Sequence, residues 1–168
     1  MNRAQLSSWC DVDAGALRHN VSLFKSHLAP GARLGVVVKS NAYGHGLEVA
    51  SQAFIDAGAD WLIVNDVDEA LALRTLHPRV AIYICGPVPV WRASDVVESD
   101  ARVVVHHADF ITALGEAALK FDRVARVHIK LETGNQRQGV DTPEALKLAA
   151  KIAEHPRLVL EGLTTHFA

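Results

Sequence analysis

Short apolar runs alternate with amphipathic stretches along almost the whole chain, and this alternation predicts a parallel β-sheet covered by helices. Six runs have the length and β-branched content of strands. The predicted strands are residues 35–39, 61–65, 81–85, 102–106, 126–130 and 158–164. The first strand, through Val36, Val37 and Val38, has no polar residue in its middle, which is typical of a strand buried on both faces.

Apolar residues recur at helical spacing in the stretches that flank these runs, and they predict helices with one packed face. The stripes are Leu17, Val21, Phe24 and Leu28 before the first strand, Leu47, Ala50, Phe54 and Ala57 after it, and Leu146, Ala149, Ile152 and Ala153 before the last. Thr142 followed by Pro143 predicts the start of the last helix, with a capping threonine and proline at the first helical position.

Repeated strand and helix units predict an α/β protein with the TIM-type (β/α) barrel architecture. A closed barrel of this type has eight strands and about 250 residues, whereas six strands are predicted here in 168 residues. We therefore expect an incomplete barrel with about six of the eight strands. No linker, low-complexity segment or internal repeat divides the chain.

Composition and charge exclude several classes of function. The chain is 49% hydrophobic, so it can bury a core, and its net charge of -2 gives no electrostatic attraction to nucleic acid or to an anionic membrane. No apolar run is long enough to span a membrane, and residues 1–5 lack the apolar core of a signal peptide. The sequence therefore predicts a cytoplasmic protein without nucleic-acid or membrane partners. No spacing of metal-binding side chains stands out, so we expect no metal.

Lys39 is the first candidate for chemistry, because it lies where the first apolar run ends. A lysine there is partly desolvated, which favours the neutral amine that attacks carbonyls and cofactor aldehydes. The alternative is a lysine that only ends the strand and extends its amine into water. The strand and the following turn leave both interpretations open.

Three blocks of sequence favour the first interpretation. Residues 36–46, Val-Val-Val-Lys-Ser-Asn-Ala-Tyr-Gly-His-Gly, resemble the pyridoxal 5'-phosphate (PLP) lysine motif of bacterial alanine racemases, with Ser40 in place of the usual alanine. Residues 127–139 resemble the family segment that ends in Thr-Gly-Met-x-Arg-x-Gly, with Asn135 in place of methionine. Residues 161–168, Glu-Gly-Leu-Thr-Thr-His-Phe-Ala, resemble the next family block. The order and spacing of the blocks are those of the family.

The resemblance implies a PLP-dependent amino acid racemase that interconverts L- and D-alanine. It implies that Lys39 forms an aldimine with PLP and acts as one of two bases at the substrate α-carbon. It further implies that Tyr43 reaches the cofactor phosphate, that Arg137 lies beside the cofactor ring oxygen and the substrate carboxylate, and that His166 lies near the ring. In many racemases the lysine that matches Lys130 is carbamylated, which makes Lys130 a candidate for this modification.

Alanine racemases follow their barrel with a β-rich domain that supplies a catalytic tyrosine to the partner subunit. No residue of this chain matches that domain. From the resemblance we expect residues 1–168 to be the N-terminal part of the barrel domain of a homo-oligomeric racemase, a fragment without the C-terminal β domain and inactive alone.

Two alternatives stay open. The chain could be a non-catalytic structural barrel fragment that self-associates through its open edges. It could also be a single-domain PLP-binding regulator with a related barrel. The turn from Tyr43 to Gly46 and the Thr133-Gly134 pair resemble racemases more than that group.

Overall fold

The computed structural model describes residues 7–168, in which β-strands and helices alternate. The strands are β1 (Gly35–Val37), β2 (Trp61–Val64), β3 (Ala81–Ile84), β4 (Arg102–Val105), β5 (Ala125–Lys130) and β6 (Leu158–Thr164). The helices are α1 (Ala14–Ser26), α2 (Lys39–Tyr43), α3 (Leu47–Asp56), α4 (Val67–Leu76), α5 (Ala93–Ser99), α6 (Ala108–Lys120) and α7 (Thr142–Ala153), with a 3-10 turn at Val90–Arg92. None of the helices described is long and apolar enough to cross a membrane.

The six strands form one parallel sheet in the order β1-β2-β3-β4-β5-β6. Within residues 7–168, β1 and β6 pair only with β2 and β5, so the sheet has two open edges and does not close into a ring. The predicted α/β fold with an incomplete barrel of six strands is confirmed. The first strand ends at Val37, so Lys39 follows β1 by two residues and does not belong to it.

The core lies between the sheet and the helices. In β5 the side chains of Ala125, Val127 and Ile129 are buried and pack in this core, whereas Arg126 and His128 between them are half-buried. Successive side chains of a strand point to opposite faces of the sheet. The helix-covered outer face is therefore apolar, and the inner face carries polar side chains.

The predicted stripe on α7 was partly wrong. The buried residues of this helix are Ala145, Leu148 and Ile152, whereas Leu146 is 67% exposed. Several alanines make more than one face of the helix look apolar, and only the face with Ala145 packs closely on the sheet.

The predicted cap of α7 was also wrong. The side chain of Asp141 accepts the Glu144 N–H at 2.9 Å, which makes Asp141 the N-cap and places Thr142 and Pro143 in the first turn. A carboxylate satisfies a free amide at a helix N-terminus and also interacts favourably with the helix dipole, so it displaces the neighbouring hydroxyl from this role.

The stripe predicted on α1 is buried only at Val21. Phe24 is 68% exposed, and Leu28 lies beyond the end of the helix. An apolar groove lies beside α1 and β1, and it is lined in part by Phe24, Val36 and Phe54 of α3. The sequence pattern predicted the helix correctly. It did not predict which of its apolar residues are buried, because that depends on the elements that pack beside β1.

Glu161 organises the inner face near the amino ends of the strands. It is the extra residue of a β-bulge, because Val127 pairs with Leu160 and His128 pairs with Gly162. A bulge re-aims a side chain, and here the carboxylate accepts hydrogen bonds from the Arg102 guanidinium at 2.9 and 3.2 Å. His128 Nε2 lies 3.2 Å from the same carboxylate.

This network makes stability depend on acid pH. Burial opposes ionisation of Glu161, but the hydrogen bonds from Arg102 and His128 outweigh it and hold the pKa of Glu161 below its ordinary value of 4.5. A carboxyl with a lowered pKa in the folded state contributes stability above pH 4.5, and this stability is lost as pH falls through the lowered pKa.

We expect the Glu161→Gln variant to lose about 1 kcal/mol of unfolding free energy at pH 7 and to show a weaker fall in stability below pH 4.5. Urea unfolding measured between pH 3 and pH 7 gives both values. Glu154→Gln is the matched control, because Glu154 is exposed and has no ion pair among the described residues. Equal acid sensitivity of Glu161→Gln and the parent chain would contradict the assignment.

Candidate active site

A cavity of about 320 Å³ lies at the carboxyl edge of the sheet. Its lining comes from the segments that directly follow five of the strands, because the carboxyl ends of parallel strands meet at one edge. The lining residues are Lys39, Asn65, Cys85, Gly86, Pro87, His106, Arg137 and Gln138. The fold therefore brings together two of the predicted site residues, Lys39 and Arg137.

The segment after Lys39 is a left-handed helical turn. Ser40, Asn41, Ala42 and Tyr43 all have φ between 53° and 55°. Left-handed backbone costs roughly 1–2 kcal/mol for each residue that has a Cβ atom, and such strain concentrates at functional sites. Four consecutive residues of this kind form a costly arrangement, and interactions elsewhere must hold it in place.

Several hydrogen bonds support the turn from within. The Ala42 N–H donates to the Val38 carbonyl at 2.8 Å, and the Gly44 N–H donates to the carbonyls of Ser40 and Asn41 at 3.2 and 3.1 Å. The Asn41 side chain accepts the Leu47 N–H at 2.7 Å and so fixes the start of α3. These bonds hold the turn, which begins at Lys39, a residue of the cavity lining.

A second loop carries Arg137. Glu132 accepts the Gly134 N–H at 2.5 Å, and backbone N–H groups of Gln136 and Gly134 lower the pKa of the Glu132 carboxyl. A Cβ atom on Gly139 would lie 2.8 Å from the Glu132 nitrogen, so only glycine allows the loop to close this tightly. The tight loop sets the position from which the Arg137 side chain reaches the cavity.

Cationic groups surround the thiol of Cys85. Burial raises the pKa of Cys85, although Lys39, Lys130 and Arg137 oppose this effect. The thiol is therefore protonated near neutral pH. Burial lowers the pKa of Lys130, and the positive charge of Arg137 acts in the same direction. The site concentrates positive charge and suits an anionic ligand.

Two polar atoms beside the cavity have no hydrogen-bond partner among the described residues. They are Nδ1 of His106 and Nε2 of Gln138, and both are shielded from solvent. A buried polar group without a partner costs about 1–3 kcal/mol. Unsatisfied polar atoms at the edge of a cavity are typical of a site that a ligand completes.

The family model described as "Alanine racemase, N-terminal domain" matches residues 12–168. The chain belongs to this family. An alanine racemase from Syntrophobacter fumaroxidans is 35% identical over 161 residues, which are 96% of this chain and 43% of that protein. The chain thus spans less than half the length of this relative.

Solved alanine racemase structures share the fold. The enzyme from Streptomyces coelicolor A3(2) superposes with a TM-score of 0.85 at 34% identity, over 94% of this chain and 43% of that one. The alanine racemase of Clostridium difficile 630 in complex with cycloserine superposes with a TM-score of 0.91 at 25% identity, over 98% and 45%. These matches agree with the predicted racemase barrel.

The other residues singled out by the resemblance to alanine racemases lie around the cavity or beyond it. Tyr43 ends the left-handed turn and is 61% exposed, outside the cavity lining. His166 is exposed near the end of the chain, where its carbonyl accepts the Thr133 hydroxyl at 3.4 Å. Lys130 ends β5, close enough to Arg137 for the two positive charges to interact. Their roles stay predictions.

Six cavity residues were not predicted as site residues: Asn65, Cys85, Gly86, Pro87, His106 and Gln138. A signal for three of them was present in the sequence, because Asn65, Cys85 and His106 are the last residues of predicted strands. The carboxyl end of each strand in a (β/α) barrel points to the site. Gln138 lies in the block at residues 127–139, next to Arg137, but the resemblance assigned it no role.

Proposed function

We propose that this chain is part of a PLP-dependent alanine racemase that interconverts L- and D-alanine. Residues 1–168 then form the N-terminal part of its barrel domain. The observation that carries the proposal is the placement of Lys39 at the head of a strained turn, in one cationic cavity with Arg137. An amine and a guanidinium in such a cavity suit an aldehyde that also carries negative charge.

The described residues fit PLP. The Lys39 amine would hold the aldehyde carbon, and Arg137 would donate to the ring oxygen and to the substrate carboxylate. Tyr43, which is exposed outside the cavity lining, would donate its hydroxyl to the phosphate, and His166 would lie near the ring. The unpartnered atoms of His106 and Gln138 are consistent with a polar ligand here. When bound, PLP withdraws electrons from the substrate and makes its α-proton acidic.

In this proposal the Lys39 amine removes or returns the α-proton on one face of the substrate. Racemisation needs a second base on the opposite face. We assign that role, from the family resemblance, to a tyrosine outside residues 1–168 that a partner subunit supplies. The protein would act as a cytoplasmic homo-oligomer with alanine as its small-molecule substrate.

The lowered pKa of Lys130 supports its proposed carbamylation. A larger fraction of neutral amine at neutral pH favours reaction with carbon dioxide. The product is an anion, which would balance the positive charge of Arg137 nearby. Carbon-13 NMR after incubation with labelled bicarbonate detects the carbamate, and loss of the signal in Lys130→Ala assigns it.

The proposed need for a second base sets the racemase activity that we expect of residues 1–168 alone. We expect the purified chain with added PLP to racemise alanine at least about 10³-fold more slowly than a complete alanine racemase, because one general base is missing. A coupled assay for D-alanine formation measures this rate. Turnover similar to that of a complete racemase would show that these residues already contain both bases.

The open sheet edges support a second candidate, self-association without catalysis. Val37 at the β1 edge is 38% exposed, and Leu163 of β6 is 62% exposed. Unpaired strand edges with apolar side chains readily pair with another chain. Sedimentation equilibrium gives the mass in solution, and a monomer at high concentration would exclude this candidate.

A further inference from the structure

Glu69 connects the turn that carries Lys39 to the next strand. One oxygen of its carboxylate accepts the Ser40 N–H at 2.5 Å, and the other accepts the Asn65 N–H at 2.9 Å. Ser40 directly follows Lys39, and Asn65 directly follows β2. A single side chain therefore joins the backbone beside two residues that line the cavity, Lys39 and Asn65.

These two hydrogen bonds satisfy groups that the local structure leaves free. The Ser40 N–H lies at the beginning of a helical turn, where amides have no partner within the helix. Hydrogen bonds from amides to a carboxylate are about twice as strong as bonds between neutral groups. Glu69 thus contributes to offsetting the strain of the left-handed residues from Ser40 to Tyr43.

The start of the helix that carries Glu69 is itself held in place. Glu69 lies in the first turn of α4, and its N–H donates to the side chain of Asp66, the N-cap of that helix, at 3.1 Å. Asp66 acts within its own helix as a cap. Glu69 differs, because both of its oxygens bond outside the helix, to the segments that follow β1 and β2.

We propose that Glu69 is a positioning residue for Lys39. By fixing the Ser40 amide it holds the left-handed turn, and the turn directs the Lys39 amine into the cavity. The functional part of this inference rests on the proposed role of Lys39 in binding PLP. A misplacement of about 1 Å at a reacting group can lower reactivity about 10²-fold, which sets the size of the expected effect.

The first test needs no cofactor. In the full chain, we expect Glu69→Ala to speed amide hydrogen exchange of Ser40 and Asn65 at least about 10-fold, because neither amide keeps a side-chain acceptor. Asp68→Ala is the matched control, since it removes a carboxylate one position away that pairs with Arg92 on the surface. Unchanged exchange of the Ser40 amide in Glu69→Ala overturns the proposal, whether or not PLP binds.

The second test separates positioning from general stability. We expect Glu69→Ala to weaken covalent attachment of PLP at Lys39 by about 10- to 100-fold, as trapped by borohydride and measured on the Lys39 peptide. Binding of pyridoxamine 5'-phosphate, which has no aldehyde, should change less than about 3-fold, a shift of only about 0.7 kcal/mol.

The outcomes are distinct. Equal weakening of both ligands, or of neither, overturns the positioning role. A parent chain that binds neither ligand contradicts the proposed function, and the exchange of the Ser40 amide then still decides whether Glu69 holds the turn.

Discussion

Replacing Lys39 by alanine in the complete protein is expected to abolish covalent attachment of PLP at this site and to lower racemase activity about 10³-fold or more. Lys39 is the one lysine among the described residues that lines the cavity, so the variant loses both the proposed attachment point and the proposed base on one face of the substrate. Borohydride trapping followed by peptide mass analysis measures attachment, and D-alanine formation measures activity.

Lys147→Ala is a suitable control for the Lys39 variant. Lys147 lies on the surface of α7, where its side chain is 75% exposed and pairs with Glu144. This control should retain attachment and activity. Because Lys130 also lies near Arg137, trapping of PLP on Lys130 in the parent chain would contradict the assignment of Lys39 and move the attachment point to the end of β5.

Replacing Arg74 by alanine is expected to lower the free energy of unfolding by about 3 kcal/mol, the largest loss we expect from a single residue far from the cavity. Arg74 lies in the last turn of α4. Its guanidinium donates to the Ser99 carbonyl at 2.8 Å, the Val80 carbonyl at 2.9 Å, the Pro78 carbonyl at 3.0 Å and the Asp100 carbonyl at 3.2 Å.

These carbonyls lie just after α4, at the end of α5 and just before β3. One side chain therefore caps the ends of two helices and bonds the loop between α4 and β3. Its removal takes the donor away from the Ser99 and Val80 carbonyls, whose hydrogen bonds are partly buried. Arg79→Ala is the control, because Arg79 is exposed and has no hydrogen bond among the described side chains. Urea unfolding of both variants measures the effect, and similar losses in both would contradict it.

The fold was predictable because the same pattern, a short apolar run followed by a helical stretch, recurs along the chain. Each of the six apolar runs, such as Val103 to Val105, is too short for a helix and too apolar for a loop, and all six are strands within two residues of the predicted ends. Helix faces were less predictable. On α7 small alanines lie on several faces, and the position of Ala145 against the sheet could be known only from packing.

The motifs named Lys39 and Arg137, and both line the cavity, whereas Tyr43 and His166, which were named in the same way, do not. The left-handed turn was not predictable, because Ser40, Asn41, Ala42 and Tyr43 have no shared preference for positive φ. What holds the turn includes a carboxylate 29 residues further along the chain. A hydrogen bond between residues so far apart depends on which strands are neighbours in the sheet. The sequence around Lys39 alone does not indicate it.

The left-handed backbone of this turn also limits which substitutions are tolerated at residues 40–43 during evolution. Ser40 and Tyr43 are exposed, and exposed positions usually accept many replacements. Here β-branched side chains would clash with their own backbone, so the accessible substitutions narrow to glycine, asparagine, aspartate and a few others. Sequence drift in this family should therefore be slow at positions where solvent exposure alone suggests that it would be fast.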